Sequence, residues 1–174
     1  GVWKTTDGGN NWSNISDKYF GSTIGAVAVS PSDESVIYVG EGENTMRGNV
    51  SEGLGGMWRS EDGGKSWRNI GLKDGRHIIR IVIHPRNPDI VWVAVMGHLF
   101  GANEERGVYK TTDGGKNWKE LKTGLPPKPF GRIAFAIAPS APQNIVAIVE
   151  AAETGLYITA DGGENWKKQS ATMN

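Results

Sequence analysis

Charged side chains that could bind or convert a ligand are concentrated in a few loop segments of the chain. The segments 40–56 and 97–107 are the longest, and shorter ones lie at 73–77, at 128–132 and around Glu150. The candidate ligand-binding residues in them are Glu41, Glu43, Arg47, Arg76, His77, His98, Glu104, Arg106, Arg132 and Glu150. Carboxylates, guanidinium groups and imidazoles are planar hydrogen-bonding groups that suit the recognition of a polyol, although any solvated loop contains the same residue types.

A pair of carboxylates at a set separation could also hydrolyse a glycosidic bond. The two groups must lie about 5 Å apart for a retaining reaction and about 6.5–9.5 Å apart for an inverting one. Glu41, Glu43, Glu104 and Glu150 qualify by residue type. Their separation depends on the fold, so the sequence alone assigns no catalytic residue.

Several other kinds of chemistry lack their characteristic residues. The sequence contains no cysteine, and its three histidines lie in separate segments without the spacing of a metal site. Its 19 basic and 19 acidic residues give no excess of positive charge for nucleic acid. No apolar stretch approaches the roughly 20 residues of a membrane-spanning helix. We therefore expect no metal, no cofactor, no nucleic-acid partner and no membrane span.

An eight-residue motif occurs four times in the chain. Its copies are TTDGGNNW (5–12), SEDGGKSW (60–67), TTDGGKNW (111–118) and TADGGENW (159–166). Asp-Gly-Gly supplies the positive φ angles of a hairpin turn, and the aspartate can accept backbone N–H bonds within that turn. A catalytic residue is needed once or twice in a site, not once in every repeat. We therefore predict a structural role for Asp7, Trp12, Asp62, Trp67, Asp113, Trp118, Asp161 and Trp166.

The spacing of the motifs predicts the fold. They recur about every 50 residues, and each full interval contains an apolar run, a proline turn, a second apolar run, a loop and a short strand. These features predict four antiparallel strands per repeat, a to d, with the motif as the c–d turn. Such a repeat is the blade of an all-β β-propeller. The predicted segment of one propeller domain has about 3.5 blades, namely a half-blade at 1–20 and blades at 21–71, 72–122 and 123–174.

The predicted topology separates the two groups of residues. The b–c and d–a loops share one face of a propeller, and the a–b and c–d turns share the other. The ligand-binding candidates all fall on the b–c/d–a face, whereas the repeated motifs fall on the opposite face. We therefore expect a glycan or protein ligand to bind on the b–c/d–a face.

The motif pattern S/T-x-D-x-G-x-x-W resembles the Asp-box, or BNR repeat. This repeat occurs in sialidases, in xyloglucan-cleaving tandem-propeller glycoside hydrolases, in sortilin receptors and in photosystem assembly propellers. The surrounding sequences GVWKTTDGGNNW (1–12) and GRIAFAIAPSAPQNIVAIVEA (131–151) are most similar to large bacterial exported proteins described as sortilin-like or BNR-repeat glycosyl hydrolase-like. The resemblance covers essentially the whole chain. It implies a propeller fold and an extracellular, periplasmic or cell-surface location.

The resemblance leaves three functions open. The first is a non-catalytic or accessory propeller segment that binds glycan or protein. The second is a glycoside hydrolase module acting on a β-glucan or another plant or algal polysaccharide. The third is a sortilin-like scaffold that binds a protein or peptide.

The number of blades implies a larger assembly. About 3.5 blades are too few to close a ring, so we expect this segment to pack with further blades of the same protein or with a second copy. The resemblance also implies a further blade near residues 122–124. There the chain is either shorter by one blade or lacks part of the gene.

Overall fold

The computed structural model describes residues 1–21, 23–44, 48–101 and 103–169. Its regular structure is β-strand apart from a short 3-10 turn at Lys73–Gly75. A two-stranded half-sheet comprises β1 (Trp3–Lys4) and β2 (Ser13–Asn14). The first full sheet comprises β3 (Ile24–Val29), β4 (Ile37–Glu41), β5 (Met57–Ser60) and β6 (Arg68–Asn69). The second comprises β7 (Ile78–His84), β8 (Asn87–Val95), β9 (Gly107–Thr111) and β10 (Lys119–Glu120). The third comprises β11 (Ile133–Ala138), β12 (Ala141–Val149), β13 (Gly155–Thr159) and β14 (Lys167–Gln169).

Each full sheet is an antiparallel meander in which the strands pair in chain order. Strand a of each sheet is β3, β7 or β11, and the following three strands are b, c and d. The half-sheet contains strands c and d. The prediction of an all-β fold with four antiparallel strands per repeat is therefore confirmed.

The core lies between successive sheets. One buried cluster joins the half-sheet to the first full sheet, a second joins the first and second sheets, and a third joins the second and third sheets. Strand β4 is buried along its whole length because neighbours cover both of its faces. Strand β12 instead alternates between buried and exposed residues from Ile145 to Val149, as expected for a sheet with one open face.

A basic residue of strand c joins the half-sheet to the first full sheet, and another joins the first full sheet to the second. The Lys4 ammonium group donates to the carbonyl of Gly63 at 2.8 Å. The Arg59 guanidinium group occupies the same repeat position and donates to the carbonyl of Gly114 at 3.2 Å. Both acceptors are the first glycine of the following Asp-Gly-Gly turn. The two contacts therefore join strand c of one repeat to the c–d turn of the next.

Within the described part of the chain, no helix is both long enough and apolar enough to cross a membrane.

Candidate functional site

The b–c and d–a loops lie at the same end of the sheets, and we call this surface the loop face. It comprises the described residues of 41–56, 71–77, 96–107, 121–132 and 150–154. Antiparallel pairing in chain order places these loops together, and the c–d turns at the opposite end. Arg47, one of the predicted ligand-binding residues, lies outside the described residues.

Glu52 connects two neighbouring loops of the loop face. One carboxylate oxygen lies 3.0 Å from His98 Nδ1, and the other lies 3.9 Å from Arg76 Nη1. The carbonyl of Arg76 in turn accepts the Gly53 N–H at 2.8 Å. Arg76 and His98 are thus brought together by Glu52, which lies in the long first b–c loop but was not among the predicted ligand-binding residues. Its role arises from contacts between different sheets, and the sequence contains no local signal for them.

His77 lies beneath the loop face and is not exposed on it. Its side chain is fully buried, and Nδ1 lies 3.0 Å from the carbonyl oxygen of Glu43. The Glu43 carboxylate accepts the Ser51 N–H at 3.3 Å. The His77 ring and the Glu43 carboxylate therefore each contact a backbone group of the first b–c loop, and neither points to a ligand.

Glu41 is buried, and its carboxylate is used within the protein. One oxygen accepts the backbone N–H groups of Leu54 and Gly55 at 3.1 and 3.0 Å. The other accepts the indole N–H of Trp58 at 2.6 Å. A buried carboxylate requires such donors, and here they fold the end of the b–c loop back onto strand c.

Arg106 holds the loops of the second and third full sheets together. Its Nε donates to the Met96 carbonyl at 2.6 Å, and Nη1 donates to the Phe130 carbonyl at 2.8 Å. Nη2 donates to the carbonyl of His98. Burial lowers the pKa of Arg106 below its usual value. The side chain is therefore occupied by backbone acceptors.

Arg132 and Glu150 form an exposed pair on the third full sheet. The Glu150 carboxylate accepts the backbone N–H of Arg132 at 3.0 Å and its Nε–H at 3.3 Å. These hydrogen bonds lower the pKa of Glu150, the backbone N–H having the largest effect. Glu104 is separate from them and highly exposed, with its carboxylate 4.0 Å from Lys128 Nζ.

Two large apolar side chains project from the loop face. Leu54 is 71% exposed and Phe100 is 74% exposed. Leu54 lies two residues after Glu52, and Phe100 lies two residues after His98. The contact between Glu52 and His98 therefore joins the two loops that carry these apolar side chains. Two small hollows lie among the described residues of this face, one of 200 Å³ beside Gly75 and one of 280 Å³ beside Phe130. Leu54 and Phe100 are therefore accessible to a ligand on this face.

The repeated motifs on the opposite face share one hydrogen-bond pattern. In the third copy, the Thr111 hydroxyl donates to Asp113 at 2.8 Å and accepts the Gly115 N–H at 2.9 Å. Asp113 also accepts the backbone N–H of Asn117 at 2.9 Å and its side-chain N–H at 2.7 Å. These bonds, that from the Asn117 side chain foremost, lower the pKa of Asp113 to about 2. Equivalent bonds occur in the other three copies.

The motif tryptophans differ in their surroundings. The indole N–H groups of Trp67 and Trp118 donate across the sheet interface to the carbonyls of Ile15 and Ile70, each at 2.7 Å. Trp67 is buried, and so is Trp166. Trp12 is 57% exposed, and its indole N–H donates to a glycine carbonyl of its own turn.

The chain is similar to curated proteins of two kinds. It is 30% identical over 108 residues to a xyloglucanase from Hypocrea jecorina (strain QM6a), covering 58% of this chain and 12% of the relative. It is 33% identical over 81 residues to vacuolar protein sorting/targeting protein 10 from Leptosphaeria maculans, covering 47% of this chain and 5% of the relative. The chain thus spans a small part of each relative.

Solved structures share the fold. The GH74 xyloglucanase from Xanthomonas campestris has a TM-score of 0.71 and 21% identity, covering 98% of this chain and 27% of that one. An ancestral GH74 enzyme has a TM-score of 0.70 and 20% identity, covering 99% of this chain and 21% of that one. These likenesses confirm the predicted β-propeller, of which the chain supplies about 3.5 blades.

The Sortilin-Vps10 family model, described as sortilin, neurotensin receptor 3, matches residues 55–174. The predicted Asp-box propeller related to sortilins and xyloglucanases is confirmed by this match together with the two relatives. Because the match extends over more than half of its length, the chain belongs to the Sortilin-Vps10 family.

Proposed function

We propose that this chain is a non-catalytic, ligand-binding propeller segment of a larger exported protein, and that its loop face binds a glycan. One observation carries the proposal. Most of the polar candidates are bound to the protein itself, whereas the Phe100 ring is exposed on the loop that the contact between His98 and Glu52 joins to its neighbour. The loop face is thereby suited to holding a ligand and poorly suited to acid–base chemistry.

The carboxylates argue against a glycosidase site within this segment. A general acid needs a pKa raised towards the working pH. Glu150 has a lowered pKa, since Arg132 donates to it twice. Glu41 is buried, and its carboxylate already accepts three N–H groups of the protein itself. Neither Glu41 nor Glu150 therefore suits the general-acid role that the hydrolase alternative requires.

The exposed aromatic ring favours a glycan. A sugar ring presents an apolar C–H face, which can pack on an aromatic side chain, and hydroxyl groups, which hydrogen-bond to planar polar groups. Phe100 provides the first kind of contact, and Glu52 with Arg76 provides the second nearby. The similarity to a xyloglucanase makes a xyloglucan-type β-glucan the first ligand to test.

A protein or peptide ligand is the second candidate. The match to the Sortilin-Vps10 family and the similarity to a vacuolar protein sorting/targeting protein favour it. Leu54 and Phe100 would then provide apolar contacts for side chains of the partner. Both candidates use the same surface, so one set of variants tests them together.

Phe100→Ala should weaken binding of a xyloglucan oligosaccharide by about tenfold, because loss of one ring contact of roughly 1.4 kcal/mol changes the dissociation constant by that factor. Isothermal titration calorimetry measures the change. Trp12→Ala is the matched control, since it removes an exposed aromatic ring from the opposite face and should leave binding unchanged.

Two further measurements separate the alternatives. New reducing ends after incubation with the polysaccharide would contradict a non-catalytic role. Binding of peptides but not of glycans, again weakened by Phe100→Ala, would replace the glycan with the second candidate. If Phe100→Ala and Trp12→Ala weakened binding equally, the ligand would not bind specifically on the loop face.

We also propose an extracytoplasmic location for the complete protein. The names of its relatives, a xyloglucanase and a vacuolar sorting protein, support export from the cytoplasm or delivery to a lumen. Fractionation of cells that express the complete gene, followed by immunodetection, would test this location.

A further inference from the structure

One repeat position on strand c carries an aromatic side chain with a polar tip in all three full sheets. It is occupied by Trp58 in β5, Tyr109 in β9 and Tyr157 in β13. The Trp58 indole N–H donates to the Glu41 carboxylate at 2.6 Å, and the Tyr157 hydroxyl donates to the Glu153 carbonyl at 3.0 Å. Both acceptors lie on the loop face of the same sheet. Among the described residues, no group is hydrogen-bonded to the Tyr109 hydroxyl.

Tyr109 lines the hollow of 200 Å³ on the loop face. Its ring is partly buried against the cluster between the first and second full sheets. Burial foremost, and then the carboxylates of Glu120, Glu105 and Glu104, raise the pKa of Tyr109 to about 12. The hydroxyl is therefore protonated near neutral pH, and it can both donate and accept a hydrogen bond.

The other charged side chains of this hollow also lack a protein partner. They are Lys73, Asp74 and Glu105. In the part of the chain that the structure describes, none of the three side chains forms an ion pair or a hydrogen bond. The carboxylates of Glu41 and Glu150, in contrast, accept hydrogen bonds from the protein. The hollow therefore collects polar groups that remain available to a ligand.

The d–a loop that forms one wall of the hollow has a strained backbone. Leu72 has φ 54° and ψ 38°, and Arg76 has φ 51° and ψ −48°. Within the described ranges they are the only residues other than glycine with a positive φ, and they enclose the turn at Lys73–Gly75. Such strain persists only where the surrounding structure holds it, and it is found most often at functional sites. Here the Gly53 N–H holds the Arg76 carbonyl at 2.8 Å.

We propose that this hollow binds one neutral pyranose unit of a glycan, whose hydroxyl groups hydrogen-bond to Tyr109, Asp74 and Glu105. The inference rests on the proposed glycan binding by the loop face, and it names the place and the kind of one sugar unit. Pockets for drug-sized ligands measure about 300–1,000 Å³, so a hollow of 200 Å³ suits a single unit. The carboxylates accept from sugar hydroxyls, and the Tyr109 hydroxyl can donate to a sugar oxygen.

The charges around the hollow disfavour an acidic sugar. The lining has two carboxylates, Asp74 and Glu105, and one ammonium group, Lys73. The guanidinium group of the nearby Arg76 is directed to Glu52, with Nη1 3.9 Å from the carboxylate. A uronate would add a further negative charge beside two others, and like charges in contact oppose binding. A neutral sugar carries no such cost.

Tyr109→Phe tests the hollow with the smallest change. It removes a hydroxyl that has no partner among the described residues, so the thermal unfolding midpoint should stay the same. Binding of a xyloglucan oligosaccharide should weaken by about fivefold, as expected for the loss of one hydrogen bond. Isothermal titration calorimetry and thermal unfolding measure the two quantities.

Tyr157→Phe is the matched control, because it removes the same group from the same repeat position. There the hydroxyl is bonded to the Glu153 carbonyl. The control should therefore lower the unfolding midpoint and leave binding unchanged. The two variants are expected to have opposite effects on stability and on binding.

Methyl β-glucoside and methyl β-glucuronide test the kind of sugar. Each is titrated into the protein, and the amide resonances of Gly75 and Tyr109 are followed by NMR. We expect the neutral glucoside to shift these resonances and the glucuronide to leave them unchanged. If the glucuronide shifts them as strongly at the same concentration, the hollow does not select a neutral sugar.

The failure of this inference differs from the failure of the proposed function. If Phe100→Ala weakens binding of the oligosaccharide and Tyr109→Phe leaves it unchanged, the loop face binds glycan without this hollow, and only the inference is wrong. If the oligosaccharide does not bind to the protein at all, both are wrong.

Discussion

At the scale of single residues, side chains of the same type have different roles on the loop face. Glu41 is buried under three N–H donors, whereas Glu150 is exposed and paired with Arg132. Both follow a strand-b apolar run in the sequence, and both were predicted to bind ligand. Their difference depends on contacts 13 to 18 residues away along the chain. Residue type therefore predicted where polar groups gather, but not which of them remain available.

The motif aspartates are the residues whose local sequence predicted most of their contacts. Asp113 has its pKa lowered from 3.8 to about 2, first because the Asn117 side chain donates to the carboxylate. A lowered pKa contributes stability that is present above the unfolded-state value and is lost as the pH falls through the folded-state value. The motifs should therefore stabilise the fold above pH 4 and lose this contribution towards pH 2.

Asp113→Asn should consequently make the free energy of unfolding smaller at pH 5 and less dependent on pH between 4 and 2. The dependence should be reduced and not abolished, because Asp7, Asp62 and Asp161 also have lowered pKa values. Urea unfolding at several pH values measures both effects. If the pH dependence of the free energy of unfolding stayed the same while ligand binding was lost, the motif would be a binding site and not a structural element of the turn.

At the scale of the structural element, the stability that a motif contributes depends on the sheet that packs against it. Trp67 packs edge to face on Phe20, with ring centroids 5.2 Å apart, and donates to the Ile15 carbonyl. Trp12 occupies the same motif position in the half-sheet, where no described sheet covers its ring, and it is 57% exposed. The eight-residue sequence predicts the hairpin in both cases. It does not predict the burial of the ring, which depends on the adjacent sheet.

Trp67→Ala should lower the free energy of unfolding by about 3–5 kcal/mol, as truncation of a buried aromatic side chain generally does. Trp12→Ala should change it by no more than about 0.5 kcal/mol. Chemical denaturation of both variants, alongside the original chain, gives the comparison. Similar losses in the two variants would contradict the claim that the interface, and not the motif itself, provides the stability.

At the scale of the whole molecule, the periodicity of the sequence predicted the architecture. The spacing of the motifs and the paired apolar runs implied four strands per repeat, and the sheets have that order. The ties between sheets were not predicted, because they join residues 55 or more positions apart, as with Arg59 and Gly114. Ile158 stands at the equivalent position in the third full sheet, where it is 37% exposed.

Arg59 makes more contacts between sheets than Lys4 does, and its removal should uncouple the first full sheet from the second. The buried guanidinium group donates to Asp89 at 2.7 Å and to the Gly114 carbonyl, and it lies 5.4 Å from the centre of the Tyr38 ring. Hydrogen bonds to a charged group typically contribute about 1.5–3 kcal/mol. Arg59→Ala should therefore lower stability by at least that amount.

The variant should also unfold less cooperatively than the original chain, because a repeat array is held together by its nearest-neighbour interfaces. The exposed pair of Lys119 with Glu164 provides the control, and Lys119→Ala should cost less than about 1 kcal/mol. Calorimetry measures both quantities, since a calorimetric enthalpy larger than the van't Hoff enthalpy reports separate unfolding of sheets. If Arg59→Ala unfolds in one transition with the stability of Lys119→Ala, coupling between these sheets resides in their apolar contacts alone.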